Sequence, residues 1–387
     1  MFMENKRACD TDSVFPIGPL CLIGMRGFED FTAQVDKWIV DGRKEMMGCA
    51  EDTYITKARC PRFANGEGKG IIDETVRGKD VFLLCDVGNY NETYKIMGMD
   101  NHMSPDDHFQ DIKRMISAIG GRAKRVNVVM PLLYNGRQHK RTVRESLDCA
   151  EALKELANYG VSNIITFEAH DVRVQNAIPH VGFENGVAYY QFAKAMLKDI
   201  PDIRFDKEHM MVVSPDEGGV NRNLFYASIF GLDMGVFYKV RDFSRLENGR
   251  NPILKHEFIG LDVEGKDIIV VDDILSSGES MLDVAYELKR RKARRVFCLV
   301  TYALFTNGLE KFDKCYADNV LDGVFATNLT YRRPELKNKP WFYEVDMTKY
   351  VAKIIDGINY DESLANLINP AQRVINLYEK IKKGEKI

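Results

Sequence analysis

The chain has 387 residues, of which 45% are hydrophobic and 29% are charged, and its formal net charge at pH 7 is -3. This length predicts two or three domains, with two favoured, since one domain typically takes about 100–200 residues. A mildly acidic chain argues against a nucleic-acid-binding protein held by bulk charge, which needs a basic surface.

The apolar residues and cysteines favour a cytoplasmic protein outside the membrane. The longest apolar-leaning stretch near the start, Val14–Met25, is too short to span a bilayer and contains two prolines. The residues before it do not resemble a secretory signal. The eight cysteines are scattered without metal-ligand spacing, which indicates reduced thiols.

Short apolar runs alternate with amphipathic segments, a pattern typical of strands and helices around a mostly parallel sheet. In the first half, this pattern predicts strands over Val81–Cys85, Val126–Met130 and Ile164–Phe167 and helices over Ser104–Ile119 and Val143–Tyr159. The last of these helices is expected to end at Gly160, because glycine is a common helix stop.

The second half repeats the rhythm of strand, turn and helix. The predicted elements are strands over Met210–Val213, Gly235–Tyr238, Ile268–Val271 and Val296–Thr301, and helices from about Asn221 and over Met281–Arg290. The predicted fold class is therefore α/β, with two tandem doubly wound domains. We expect an N-terminal domain over 1–183, a C-terminal domain over 184–345 and a helical tail over 346–387.

The segment IIVVDDILSSGES, from Ile268 to Ser280, carries the clearest functional pattern. Four β-branched residues predict a buried strand, and Asp272 and Asp273 follow at its carboxyl end, where open α/β sheets bind ligands. The two acids can accept hydrogen bonds from ribose hydroxyls, directly or through a metal. An acidic pair at a strand end also occurs without any such role.

The polar loop that follows precedes a helix, so its backbone N–H groups and the helix dipole suit the phosphate of a sugar phosphate. The candidate ribose 5-phosphate ligands in the loop are Ser276, Ser277, Gly278, Glu279 and Ser280. The whole segment resembles the ribose-phosphate-binding signature of the type I phosphoribosyltransferase fold. That fold serves the salvage transferases, which consume phosphoribosyl pyrophosphate, and the synthetases, which make it.

The segment RFANGEGKGIIDETVRGKDVF, from Arg62 to Phe82, resembles a segment of the ribose-phosphate pyrophosphokinase family. In that family a hairpin-like loop reaches into a neighbouring subunit's site and holds the adenine of ATP. The resemblance implies that Phe63 stacks on the base while Asn65 and Glu67 bind its polar edge. The alternative is a solvated hairpin with a buried phenylalanine.

Two further segments of the first half resemble the ATP side of the same family. In MPLLYNGRQHKR, Arg137 and Gln138 match the family's polyphosphate-binding residues, whereas His139 stands where the family has aspartate. A guanidinium suits a polyphosphate because it is planar and always charged. In ITFEAHDVRVQNAIP, His170 corresponds to the histidine that contacts magnesium and an ATP phosphate. Alone, either segment is more typical of a solvated turn or a structural histidine.

Two segments of the second half complete the resemblance. VVSPDEGGVNR offers Asp216 as a magnesium ligand, and FYKVRDF lies where the family has a basic mobile loop. The resemblance implies that Lys239, Arg241 and His170 are catalytic, and that the two basic residues close over the transferring group. The polar stretch onward to Gly260 is typical of a closing lid. An exposed basic stretch is the alternative.

The resemblance implies a ribose-phosphate diphosphokinase with ATP and ribose 5-phosphate as substrates and Mg²⁺ as cofactor. It also implies a homo-oligomer, commonly a hexamer. The phosphate loop departs from the family, which usually has Asp-Thr-Ala-Gly-Thr where this chain has Ser-Ser-Gly-Glu-Ser. Two alternatives therefore stay open: a salvage phosphoribosyltransferase, and a non-catalytic regulatory paralogue of the synthetase.

Overall fold

The computed structural model describes residues 15–48, 50–241 and 253–382. The strands are β1 (Leu20–Gly24), β2 (Ala58–Arg59), β3 (Ile71–Ile72), β4 (Asp80–Leu84), β5 (Thr93–Ile96), β6 (Met99–His102), β7 (Arg125–Val129), β8 (Asn163–Phe167), β9 (Gly182–Gly186), β10 (Met210–Ser214), β11 (Asp233–Arg241), β12 (Ile253–Ile259), β13 (Asp267–Leu275), β14 (Arg295–Ala303), β15 (Gly323–Thr327) and β16 (Phe342–Val345).

The helices are α1 (Glu29–Met47), α2 (Pro105–Ile119), α3 (Asp148–Asn158), α4 (Tyr189–Asp199), α5 (Val220–Phe230), α6 (Glu279–Arg290), α7 (Glu310–Ala317), α8 (Thr348–Asn359), α9 (Ala365–Ile368) and α10 (Ala371–Lys382). None of the helices in the described residues is long and apolar enough to cross a membrane.

The described residues divide into two compact units. The N-terminal unit contains the residues up to Val187 together with Leu329–Tyr331 and Asp346–Asn369, and the C-terminal unit contains the remainder. The sequence analysis grouped 346–387 as one tail, whereas α8 packs against α1 in the N-terminal unit and α10 packs against α4 in the C-terminal unit. The ion pair between Arg43 of α1 and Asp356 of α8, at 2.8 Å (N to O), fixes the first of these contacts.

The N-terminal unit is built on a parallel sheet in the order β1-β4-β7-β8-β9. Its core joins strand residues such as Val81 and Ile164 to helix residues such as Ile112 and Leu156. The ends of α2 follow from its sequence: Ser104 and Asp107 form a capping box, Pro105 opens the helix, and Gly120 closes it in the left-handed conformation.

The helix predicted over Val143–Tyr159 begins at Asp148, so the first part of that prediction is wrong. Val143 is 68% exposed and has no core to pack against. The Glu145 carboxylate also accepts hydrogen bonds from the backbone N–H and hydroxyl of Thr142 at 3.2 and 3.3 Å (donor to O). These local bonds stabilise a turn where the apolar spacing predicted a helix.

The C-terminal unit is built on a sheet in the order β12-β11-β10-β13-β14-β15-β16, in which only β12 runs antiparallel to its neighbour. The central strand β13 pairs with β10 and β14, and its residues Ile268 to Val271 are buried. A continuous β-branched run is typical of such a strand. Both units thus confirm the predicted α/β class with mainly parallel sheets.

Six of the cysteines lie within the described residues, and all six are free thiols and buried. Burial raises the pKa of Cys149 to about 11 and that of Cys60 to about 12. These thiols are therefore protonated at neutral pH and pack as small apolar side chains, as the spacing of the cysteines predicted.

Candidate active site

Three acidic residues lie at one edge of the sheet of the C-terminal unit. Strands β10 and β13 are parallel neighbours, with Val213 opposite Val270. Asp216 comes two residues after the end of β10, and Asp272 and Asp273 lie near the end of β13. The carboxyl ends of parallel strands meet at the same edge, which is where open α/β sheets bind ligands.

The guanidinium of Arg222, from the first turn of α5, contacts both members of the acidic pair. Nη1 lies 3.4 Å from Oδ1 of Asp272, and Nη2 lies 3.2 Å from Oδ2 of Asp273. The Asp273 side chain is 4% exposed and that of Asp272 is 33% exposed. Burial and the charge of Asp273 raise the pKa of Asp272 well above the usual carboxyl range, although Arg222 opposes the rise. The cluster therefore favours added positive charge or hydrogen-bond donors.

Asp216 is held in a tight turn between β10 and α5. Its carbonyl oxygen accepts a hydrogen bond from Oγ of Ser214 at 2.8 Å, and its carboxylate accepts one from the backbone N–H of Gly219 at 3.2 Å. A Cβ on Gly219 would lie 2.9 Å from Oγ of Ser214, so a side chain there would require Ser214 to shift. Asn223 ties this turn to β13 by donating to Ser214 Oγ at 3.2 Å and to the Val271 carbonyl at 3.0 Å.

The phosphate loop is shorter than the sequence predicted. Strand β13 continues to Leu275, and α6 begins at Glu279, so Ser276–Gly278 form the loop while Glu279 and Ser280 belong to the helix. Gly278 makes this transition in the left-handed conformation, with φ 81°, and its carbonyl accepts the backbone N–H groups of Met281 and Leu282. The 12-residue helix α6 directs its N-terminus toward the loop, as an anion site requires.

Two further features decide what this loop can accommodate. A Cβ on Gly278 would lie 2.2 Å from the ring of Phe312 in α7, so the position has no room for a side chain. Glu279 forms an ion pair with Lys311 of α7, and both side chains are about half exposed. The carboxylate that the sequence placed beside the phosphate is thus paired with a lysine in this structure.

Lys239 and Arg241 lie in the second half of β11. Their backbones pair with those of His256 and Ile253 in the antiparallel strand β12. Their side chains and residues 242–252, which carry the predicted lid, lie outside the described part of the chain. The catalytic role of both residues stays a prediction.

In the N-terminal unit, residues 62–68 form a tight turn that presents Phe63, Asn65 and Glu67 to solvent. The backbone N–H of Phe63 donates to the Glu67 carbonyl at 2.8 Å, and that of Gly66 donates to the Phe63 carbonyl at 2.9 Å. Phe63 is 55% exposed, which contradicts the alternative of a buried phenylalanine. An exposed aromatic ring beside polar side chains has the composition of a base-binding surface.

The base of this turn is anchored from two sides. Arg62 forms an ion pair with Asp111 of α2 at 2.8 Å (N to O), and both side chains are only 3% exposed. The hairpin of β5 and β6 covers the other side, where the backbone N–H of Met97 donates to the Ala64 carbonyl at 2.7 Å. The turn therefore rests on buried contacts although its functional side chains are exposed.

Two histidines lie together beyond the ends of β7 and β8. The rings of His139 and His170 have centroids 5.2 Å apart, and Nε2 of His139 lies 3.6 Å from Oδ2 of Asp171. Burial and the neighbouring His170 lower the pKa of His139. The hydrogen bond from Arg173 lowers the pKa of Asp171 to about 2, so this carboxylate stays ionised. Arg137 and Gln138 lie exposed on the same loop as His139.

The structure groups the predicted residues within each unit. It joins Asp216, Asp272 and Asp273 around one sheet edge, and it brings His170 beside His139. The sequence analysis did not name Arg222 as a site residue, although it quoted this residue at the end of the GGVNR segment. Its position on the first turn of a helix after a glycine pair was the available signal, because such a residue points back toward the strand ends.

Two family models match the chain. The N-terminal domain of ribose phosphate pyrophosphokinase matches residues 21–160, and the phosphoribosyl transferase domain matches residues 184–326. The chain belongs to the ribose-phosphate pyrophosphokinase family. The first matched region contains the turn 62–68, and the second contains Asp216, Asp272 and Asp273.

Relatives in this family are similar over nearly their whole length. The ribose-phosphate pyrophosphokinase of Vibrio cholerae is 28% identical over 326 residues, which are 83% of this chain and 94% of that protein. That of Helicobacter hepaticus is 27% identical over 354 residues, 89% of this chain and 99% of that protein. A crystal structure of phosphoribosylpyrophosphate synthetase from Mycobacterium smegmatis has the same fold, with a TM-score of 0.70 over 88% of this chain and 99% of that chain at 21% identity.

Proposed function

We propose that this chain is a ribose-phosphate diphosphokinase. It transfers the β,γ-diphosphate of ATP to the 1-hydroxyl of ribose 5-phosphate and gives phosphoribosyl pyrophosphate and AMP. The observation that carries the proposal is that one chain combines a sugar-phosphate loop beside an acidic pair with the exposed turn 62–68 in a separate unit. A salvage phosphoribosyltransferase has no need of the second feature.

The ribose 5-phosphate side is assigned to the C-terminal unit. The carboxylates of Asp272 and Asp273 accept hydrogen bonds from the 2- and 3-hydroxyls of the ribose. The raised pKa of Asp272 supports this role, because hydroxyl donors offset the crowding of negative charge. The 5-phosphate binds at the loop Ser276–Gly278 and the start of α6, where backbone N–H groups and the helix dipole favour an anion.

The ATP side is assigned to the N-terminal unit. Phe63 stacks on the adenine, and Asn65 and Glu67 hydrogen-bond its edge, which their exposure on the turn supports. Arg137 and Gln138 bind the polyphosphate from their exposed loop. A guanidinium there provides paired donors and a permanent charge.

The donor chemistry of the acidic edge suits Mg²⁺, which binds through a few carboxylate oxygens and otherwise keeps water and phosphate ligands. The candidate ligands are Asp216 in the C-terminal unit and His170 in the N-terminal unit. When bound, Mg²⁺ neutralises charge on the phosphate oxygens of the nucleotide.

The transfer is an in-line displacement at phosphorus. The 1-hydroxyl oxygen of the ribose forms a bond to the β-phosphorus of ATP and its proton passes to water. The bond from that phosphorus to the α,β-bridging oxygen breaks, so AMP leaves with its electron pair. Such reactions depend mainly on positioning and charge neutralisation. Lys239 and Arg241 supply positive charge to the transferring group.

We also propose that the protein works in the cytoplasm as a homo-oligomer, a hexamer by family resemblance. An exposed Phe63 supports an arrangement in which a neighbouring subunit contributes to the adenine site. Sedimentation velocity with and without ATP gives the assembly size directly.

The experiment that tests the function is AMP release from the purified protein with Mg²⁺, ATP and ribose 5-phosphate, each omitted in turn. The proposal expects AMP only when all three are present, and loss of turnover when the metal is chelated. The variant Lys239→Ala is expected to lose about 100-fold in turnover, the scale for removing one charge-stabilising donor. Turnover that requires a nucleobase instead would identify a salvage transferase, and ATP binding without turnover would identify a regulatory paralogue.

A further inference from the structure

The ion pair between Glu279 and Lys311 lies at the first residue of α6, directly after the phosphate loop. The two side chains are 52% and 57% exposed. An ion pair this exposed contributes little to folding stability. Its location is therefore more informative than its energy.

The start of α7 is fixed against the loop by contacts that do not involve this ion pair. The backbone N–H of Thr306 donates to the Ser276 carbonyl at 2.9 Å, and that of Leu304 donates to the Leu275 carbonyl at 2.8 Å. The ring of Phe312 fills the space beside Gly278. Lys311, the residue before Phe312, is thus held next to the loop by the backbone on which it sits.

The Glu279 carboxylate lies where it would weaken the binding of a phosphate, and Lys311 offsets its charge. The N-terminus of a helix attracts negative charge, and Glu279 places a carboxylate there. A carboxylate in this position competes with a phosphate for the same N–H groups and repels it. The Lys311 ammonium offsets that charge and draws the carboxylate to α7.

We propose that Lys311 is a positioning residue for ribose 5-phosphate, which acts by holding the Glu279 carboxylate so that the loop Ser276–Gly278 stays open to the 5-phosphate. The inference rests on the proposed function of this loop. It explains how a chain with glutamate directly after its phosphate loop retains an anion site, since the compensating charge comes from another helix.

A double-mutant cycle tests this role by direct titration of ribose 5-phosphate in a calorimeter, which does not depend on turnover. Lys311→Met is expected to bind about tenfold more weakly than the wild type, equal to about 1.4 kcal/mol. Glu279→Gln is expected to bind more tightly than the wild type. The double variant is expected to bind like Glu279→Gln, because the lysine has no further task once the carboxylate is gone.

The matched control is Lys314→Met, which removes an exposed lysine from the last turn of the same helix. It is expected to bind ribose 5-phosphate as the wild type does. Thermal unfolding of all variants, expected within about 1 °C of the wild type, excludes a general loss of structure, since exposed pairs contribute little.

The inference is overturned if Lys311→Met binds as tightly as the wild type. It is also overturned if the double variant binds as weakly as Lys311→Met, because the lysine would then contact the phosphate itself. A wild type that binds ribose 5-phosphate without releasing AMP contradicts the diphosphokinase proposal alone, and the cycle still decides the role of Lys311. A wild type that binds no ribose 5-phosphate overturns both.

Discussion

Arg222 contacts the two carboxylates of the acidic pair with separate nitrogens, 3.4 Å from Asp272 and 3.2 Å from Asp273. The arginine comes from α5, whereas both acids belong to β13, some fifty residues later in the chain. The pair is therefore oriented by a side chain from another element.

The variant Arg222→Met should destabilise the protein by about 2–4 kcal/mol, because it removes a cationic partner of the buried Asp273. It should also weaken ribose 5-phosphate binding, since the acids lose their orientation. Urea unfolding measures the first effect and calorimetry the second. The control is Arg290→Met, whose side chain is 80% exposed in its pair with Glu287. Equal stability of the two variants would contradict the role given to Arg222.

The variant Gly278→Ala should distort the phosphate loop. The position has φ 81°, and an added Cβ would meet the buried ring of Phe312 at 2.2 Å. Gly265→Ala is the matched control, since φ there is 73° and nothing lies within 4 Å of the added Cβ. The control should cost about 1–2 kcal/mol for its left-handed backbone alone. Gly278→Ala should cost about 1–3 kcal/mol more because of overpacking, and should lose ribose 5-phosphate binding. Equal unfolding free energies for Gly278→Ala and Gly265→Ala would contradict overpacking, because the ring of Phe312 would then move aside without a cost in stability.

Arg62→Met should weaken ATP binding, because Arg62 anchors the base of the turn that carries Phe63. Its ion pair with Asp111 is almost fully buried, so its loss should cost about 3 kcal/mol of unfolding free energy. Arg59→Met removes the pair with Asp73, which is 57% and 40% exposed, and should cost less than about 1 kcal/mol. Chemical unfolding and the KM for ATP check both effects. An unchanged KM for ATP in Arg62→Met would separate the turn from nucleotide binding.

Phe63→Ala should affect nucleotide binding without affecting stability. Because the ring is 55% exposed, its removal should change the unfolding free energy by less than about 0.5 kcal/mol. Loss of base stacking, worth about 1–3 kcal/mol, should raise the KM for ATP at least about fivefold. Phe15→Ala, which removes a phenylalanine that is 77% exposed, is the control and should leave both quantities unchanged. A KM for ATP that stays at the wild-type value would contradict adenine stacking.

The local pattern of the sequence predicted the elements that depend on burial along one segment. Continuous β-branched runs such as Ile268–Val271 form strands only when both faces are covered, so their hydrophobicity is sufficient to locate them. The bounds predicted for α2, Ser104–Ile119, differ from the observed helix by one residue, because its caps are contacts between near neighbours. The same local order placed Asp272, Asp273 and the loop after one strand, which led to the ribose-phosphate interpretation.

Contacts between residues far apart in the sequence were decided only by the tertiary structure. Val143 has apolar neighbours at helical spacing, yet it lies in a turn because no core lies opposite it. The exposure of Phe63 depends on the buried support of Arg62 and Asp111, and the charge of Glu279 is offset by Lys311, 32 residues later. Burial and electrostatic pairing depend on which elements pack together, so the sequence alone proposed the chemical groups of this site, and the fold determined which of them are paired and which are exposed.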